Sequence, residues 1–250
     1  MSPDQYLASH AEPEAAAAAH LEGSFGHVVQ VPAYGEGDEL FAMLGSVPAG
    51  PRGKVLIVLV LNARADSPAA VHAANEAARA RLTAAASTGA RLSDDPPVTI
   101  LAFPHGRVVL IDRAAPGRFL PEGQGIGLAR KIGCDFALAA AASGQLAADW
   151  LHCTDADVLL PNDYFDQTEV VEGAASAAVY FFRHRFDAGE ALGRAGRLTR
   201  SRCVTECSAW RGRARPTPTR PWEAASRYGQ RPTRRCAAFR KRTPRKTSSP

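Results

Sequence analysis

Seven consecutive apolar residues, Val55-Leu56-Ile57-Val58-Leu59-Val60-Leu61, constrain this chain more than any other stretch. A strand with one wet face alternates apolar and polar side chains. This run does not, so both faces must be covered. The length is that of a strand, and no apolar run in the chain reaches the ~20 residues of a bilayer span. Helices packed on both sides of a parallel sheet supply the required cover. The run ends at Asn62-Ala63-Arg64-Ala65-Asp66-Ser67. Ser67 then reads as the cap of a helix reaching about Ala86, with Pro68 at its first position and Val71, Asn75 and Leu82 along it.

The alternation of strand and helix extends in both directions. Residues 1–22, with alanines from Ala15 to Ala19 behind Glu12 and Glu14, predict a peripheral helix. Residues 27–31 predict a first strand, closed by Pro32-Ala33-Tyr34-Gly35-Glu36-Gly37. A helix over about 38–47 then turns Leu40, Phe41 and Leu44 inward. Pro48 to Gly53 breaks the chain, and 87–97 reads as a loop. Two short strands are expected at 98–103 and 108–112. A Pro/Gly-rich loop at 114–124 is long enough to be functional or mobile. Further on come a helix at 125–142, a strand at 150–157, a helix at about 163–173, a strand at 177–186 and the start of a helix at 188–198. The expected fold is α/β, an open and mainly parallel sheet with helices on both faces.

In such sheets ligands bind beyond the carboxyl ends of the strands. Glu36, Asn62, Asp66, Asp155 and Asp157 all lie at or just after predicted strand ends. Asp155 and Asp157 are two apart, so an extended backbone sends both carboxylates to the same side. Two hard anionic ligands there suit Mg²⁺ or Mn²⁺ that keeps water and phosphate oxygens, as needed to hold a nucleotide diphosphate. Taken alone, the pair also reads as a turn or a helix cap. Gly125-Ile126-Gly127 opens a helix, but a long loop precedes it and Lys131 replaces the last small residue of a dinucleotide fingerprint. Arg130 and Lys131 stand one turn into that helix, either facing the site as diphosphate contacts or lying exposed. His152 reads as a packed strand histidine.

The N-terminus shows no basic region followed by an apolar core, so no secretory leader is expected. The five cysteines are odd in number, and Cys203 and Cys207 lack a second pair or a nearby His to complete a zinc site. A cytoplasmic protein with reduced thiols is expected. The net charge of +5 conceals a division. From Thr199 onward there are 15 Lys and Arg against two acids, a charge of +13; the rest has 15 basic and 23 acidic residues, a charge of −8.

Three motifs in order carry a resemblance: Val28-Val29-Gln30-Val31-Pro32-Ala33-Tyr34-Gly35-Glu36, Gly127-Leu128-Ala129-Arg130-Lys131-Ile132-Gly133, and Thr154-Asp155-Ala156-Asp157. Over residues 27–198 the chain resembles the family 2 glycosyltransferases with the GT-A fold. The resemblance implies that Pro32, Ala33, Tyr34, Glu36 and Asn62 hold the nucleoside of a UDP- or GDP-linked sugar. It places Arg130 near the nucleotide, and Asp155 and Asp157 on a Mn²⁺ or Mg²⁺ ion and the diphosphate. Gly35 stands where the family usually carries Asn, and Asn62 where an Asp often holds uracil, so the base stays open. Inverting members take the acceptor proton with a later carboxylate, often in a Glu-Asp pair. No such pair follows Asp157 in this sequence.

Residues 1–26 thus read as an N-terminal extension, 27–198 as a nucleotide-sugar-binding domain without its acceptor half, and 199–250 as a disordered tail. The tail is rich in Arg, Pro, Thr and Ser, and too poor in aliphatic residues to offset its ordering entropy. One reading is a basic arm for nucleic acid or an anionic surface, with Trp210, Trp222, Tyr228 and Phe239 as irregularly spaced stacking groups and no recognition fold around them. Another is a shifted reading frame from near Leu198. Residues 214–226 can be encoded by bases whose neighbouring frame reads GSPYAYPSVGS, and residues 237–249 by bases that hide GFP…AAEDFF. Both phrases resemble the missing half of the same family.

Overall fold

A computed structural model describes residues 2–104, 106–169 and 177–180, and the backbone of 237–240. The helix expected at 188–198, residues 181–186 of the strand expected at 177–186 and most of the basic tail lie outside the described residues. All of the described residues fall in one of the two units into which the chain divides. Among the described residues, no helix is long and apolar enough to cross a membrane.

That unit is built on one open, mixed sheet. Its strands are β1 (His27–Ala33), β2 (Val55–Asn62), β3 (Thr88–Asp94), β4 (Pro97–Phe103), β5 (Gly106–Arg113), β6 (Trp150–Cys153), β7 (Ala177–Val179) and β8 (Ala237–Arg240), in spatial order β3-β4-β5-β2-β1-β6-β8-β7. The centre, β5-β2-β1-β6, is parallel throughout. The flanks are antiparallel: β3 and β4 extend one side as a hairpin, and β8 lies between β6 and β7 on the other. No periodicity in the tail announces β8. Its backbone takes the open edge of β6, where unpaired N–H and C=O groups accept almost any extended segment.

Every residue of β1 and β2 is buried, as the unbroken apolar run required. Alternate side chains feed two cores. Val29, Val31, Leu59 and Leu61 pack with Leu40 and Met43 of α2 (Asp38–Ser46) and Ala78 and Leu82 of α3 (Ala69–Ala85). On the opposite face, Val28, Leu56, Val58 and Val60 pack with Ala129, Ile132 and Phe136 of α4 (Ile126–Ala142). Burying each such side chain stabilises the fold by roughly 1.5–3 kcal/mol. The central sheet therefore forms a rigid platform for the loops at its ends.

Four local expectations change. The N-terminal alanines are not a peripheral helix. Helix α1 (Pro3–His10) is followed by a 3₁₀ helix, Pro13–His20, which buries Glu14, Ala15, Ala17 and Ala18. Small side chains let that segment approach α4 closely. Residues 87–97 contain β3 rather than a loop. Only Leu92 of β3 is buried, so an edge strand with no alternating pattern escapes sequence reading. Ser67 does not cap α3; its Oγ accepts from Arg64 N at 2.9 Å, and Pro68 occupies the cap position. Finally, β6 stops at Cys153, and the helix expected at 163–173 starts at Asp166, as α5 (Asp166–Glu169), with 170–173 outside the described residues.

Candidate functional site at the carboxyl edge of the parallel strands

The chain builds outward from β1 through α2 to β2, and through α3 and the β3–β4 hairpin to β5. Helix α4 then carries it back to the far side of β1, where β6 pairs. Strand order reverses between β1 and β6. Crossovers diverge at such a point and leave a crevice at the carboxyl edge, which is where open α/β sheets hold ligands. The loop after β1, the segment after β6 and the first turn of α4 all reach this edge.

Asp155 follows β6 by two residues. Thr154 N donates to Gln30 O at 3.1 Å, which continues the pairing with β1 one step past the strand. Asp155 is buried, and its carboxylate accepts from the guanidinium of Arg130 on α4. The structure corrects the expected alignment of the two aspartates. Ala156 and Asp157 form a turn, so the extended backbone that would send both carboxylates to one side ends before Asp157. Asp155 is buried against Arg130, whereas Asp157 is half-buried on the turn. Beneath the Arg130–Asp155 pair, the sulfurs of Cys134 and Cys153 approach to 3.8 Å. The contact between the sulfurs pushes the Cys134 thiol up and draws Cys153 down.

One strand away, the β1 loop is held by a chain of amides. Asn62 Nδ2 donates to Ala33 O at 2.7 Å, Asn75 Nδ2 to Asn62 O at 3.1 Å, and Gly35 N to Asn75 Oδ1 at 3.1 Å. Asn62 and Asn75 are both buried. They fix the loop from below, and Asn62 does not line its surface. Gly35 has φ of +75°, a left-handed conformation that Gly and Asn tolerate best. Pro32 and Ala33 lie buried within β1 and set the height of the loop. Tyr34 presents a ring 41% exposed, with its hydroxyl 3.1 Å from Ser67 Oγ, while the Glu36 carboxylate accepts from Tyr34 N. Asn75 is the working residue that sequence reading left without a role. A polar side chain on the apolar face of α3 was the available signal.

Of the two adjacent cations on α4, only Arg130 faces this edge. Consecutive helical residues point about 100° apart. Lys131 Nζ instead meets Glu12 and Asp135 at 2.8 Å each and donates to His10 O at 2.6 Å. Asp135 also accepts from Tyr6 Oη and from Glu12 N, both at 2.9 Å. Burial, and then this carboxylate, push the Tyr6 phenol up to about 12. The cluster fastens the N-terminal segment to α4. Asp66 pairs with Arg64 at 2.8 Å on an exposed turn. His152 is a packed strand histidine, as expected, with Nδ1 2.8 Å from Tyr180 Oη. Burial, and then His27, push its pKa down to about 3.

The oxygen donors fit a divalent cation in part. Asp155 and Asp157 supply two carboxylates in one segment, and among the described residues no group of three or more His, Cys, Asp or Glu gathers into a fuller set. A pair of carboxylates is the donor set expected of Mg²⁺ that fills its remaining positions with water and phosphate. A groove of about 340 Å³, lined by Asp95, Pro97, Arg113 and Arg118 among others, lies at the end of β5, two strands from the reversal point. Compared with known proteins, the chain matches no family model and no curated relative.

Proposed function

We propose that this chain carries the donor half-site of a glycosyltransferase of family 2 with the GT-A fold, binding a nucleotide-diphosphate sugar with Mn²⁺ or Mg²⁺. One observation carries the reading: the Arg130–Asp155 pair and the amide-braced loop after β1 flank the same strand-order reversal. A ligand spanning this crevice meets an exposed aromatic ring at one end and a guanidinium beside carboxylates at the other. Tyr34 and the loop at Gly35–Glu36 receive the nucleoside. Asn62 and Asn75 hold that loop in shape and so act as positioning residues. Arg130 offers a charge-assisted contact to the diphosphate. Asp155 and Asp157 hold the cation, whose contribution is to neutralise the charge of the departing diphosphate.

General-base activation of an acceptor hydroxyl requires a carboxylate within reach. The 250 residues carry no Glu-Asp pair after Asp157. The proposal therefore covers donor binding alone, with a shifted reading frame near Leu198 as the origin of the basic tail. Reading the neighbouring frame of the gene past that codon decides the origin. A long open frame containing a Glu-Asp pair supports it, and a frame crowded with stops removes it. Donor binding is tested by calorimetric titration of UDP and GDP with and without Mn²⁺. Metal-dependent binding to one of them supports the half-site; absence of such binding in the folded protein removes it. No observation on the described residues favours the alternative, a nucleic-acid- or anionic-surface-binding protein working through its tail.

A further inference from the structure

Cys134 and Cys153 stand on the two elements that carry the Arg130–Asp155 pair. Cys134 lies one helical turn after Arg130 on α4, and Cys153 is the last residue of β6, two before Asp155. Both are free thiols; Cys134 is half-buried and Cys153 buried. Their sulfurs are 3.8 Å apart, where a disulfide requires about 2.05 Å. Eighteen residues separate the two positions in the chain, so the fold alone has brought them together.

We propose that Cys134 and Cys153 form a dithiol–disulfide modification site whose closure ties α4 to β6 directly beneath Arg130 and Asp155. The oxidant is a small disulfide such as oxidised glutathione. The sulfur of Cys134 attacks one sulfur of the oxidant as it gives up its proton, and releases one glutathione thiol. Cys153 then attacks the mixed disulfide and releases the second. Two S–H bonds and one S–S bond break; one protein S–S bond and two glutathione S–H bonds form. The two electrons lost by the protein reduce the oxidant. Half-exposed Cys134 is the entry point, because the oxidant is too large to reach buried Cys153 first. The cross-link removes the freedom of the first two turns of α4 to move relative to the strand end.

The full chain is treated with oxidised glutathione, blocked with an alkylating reagent, and digested on the amino side of aspartate. Cleavage before Asp135 and Asp149 puts the two cysteines on separate peptides. The expected product is a Cys134–Cys153 cross-linked pair, reversed by dithiothreitol, with a ratio of cross-link to Cys134 glutathione adduct at least about tenfold higher in the native protein than in urea, because the fold juxtaposes the two sulfurs for the second exchange. Cys153→Ser should stop the reaction at a glutathione adduct on Cys134, and Cys134→Ser should leave Cys153 unmodified. Hydrogen exchange should show the amides of 127–134 slowed in the oxidised protein. A stable adduct on Cys134 in the wild-type chain, a cross-link to Cys203, Cys207 or Cys236 instead, or the same ratio of cross-link to adduct in native and urea conditions would overturn the proposal. None of these readouts depends on nucleotide or metal, so they stand apart from the test of donor binding.

Discussion

Arg130, one turn into α4, donates to the carboxylate of Asp155, two residues past the end of β6. A helix packed on one face of the sheet thus meets a strand end across the point where strand order reverses. The Arg130 side chain is 37% exposed and that of Asp155 11%, so solvent reaches the pair mainly at the arginine. Asp155→Asn keeps the shape and removes the charge. Under the donor-binding proposal it should weaken metal-dependent nucleotide binding by more than tenfold while leaving the melting temperature within a few degrees. Arg130→Met should weaken diphosphate binding and spare binding of the free nucleoside. Calorimetry with the diphosphate and the nucleoside separates the two outcomes. Equal loss for both ligands contradicts the assignment of Arg130 to the diphosphate.

Asn75→Ala should disturb the loop after β1 without touching its surface. The change deletes the acceptor of Gly35 N and the donor to Asn62 O. Leaving buried backbone groups unpaired costs about 1–3 kcal/mol. The expected result is a lower midpoint in urea with an unchanged slope, and faster exchange of the Gly35 amide. A Gly35 amide as protected as in the parent would contradict the bracing role.

Asp135→Ala should release the N-terminus selectively. The carboxylate gathers Tyr6, the Glu12 amide and Lys131 at 2.8–2.9 Å. A hydrogen bond to a charged group contributes about 1.5–3 kcal/mol, and here three converge on one buried anion. Limited proteolysis should cut within 1–22 much sooner in the variant, while the sheet stays resistant. Cutting spread evenly along the chain would mean that Asp135 supports the whole fold instead.

His152 makes stability depend on pH. Its ordinary pKa of 6.5 falls to about 3 in the folded protein, because burial excludes the charged ring. Between these values the unfolded chain binds a proton that the folded chain does not. Stability is therefore fully present above pH 6.5 and lost as pH falls toward 3. The slope from this group reaches at most about 1.4 kcal/mol per pH unit. His152→Gln should flatten the curve over that window. The difference between the two proteins, measured by urea unfolding at a series of pH values, isolates this one group from the carboxylates. A constant difference across the window would show that His152 does not stay neutral in the fold.

The run Val55–Leu61 sufficed by itself to demand a strand covered on both faces, because a strand's side chains alternate and this one offers no polar side. The limits of α2, α3 and α4 were legible for the related reason that their apolar residues recur at helical spacing. The sequence also placed Asp155, Asn62 and the Pro32–Glu36 segment at strand ends, since turn residues interrupt apolar runs there. It could not tell Arg130 from Lys131. Local propensity treats two neighbouring cations alike, and only the packing of α4 turned one to Asp155 and the other to Asp135. Nor could it separate Asp155 from Asp157, because the end of β6 is set by pairing with β1 and not by the residues that follow. Strands β3 and β8 were invisible for the same reason: their partners define them. Long-range contact alone decided what sits beside what, including the two sulfurs beneath Arg130.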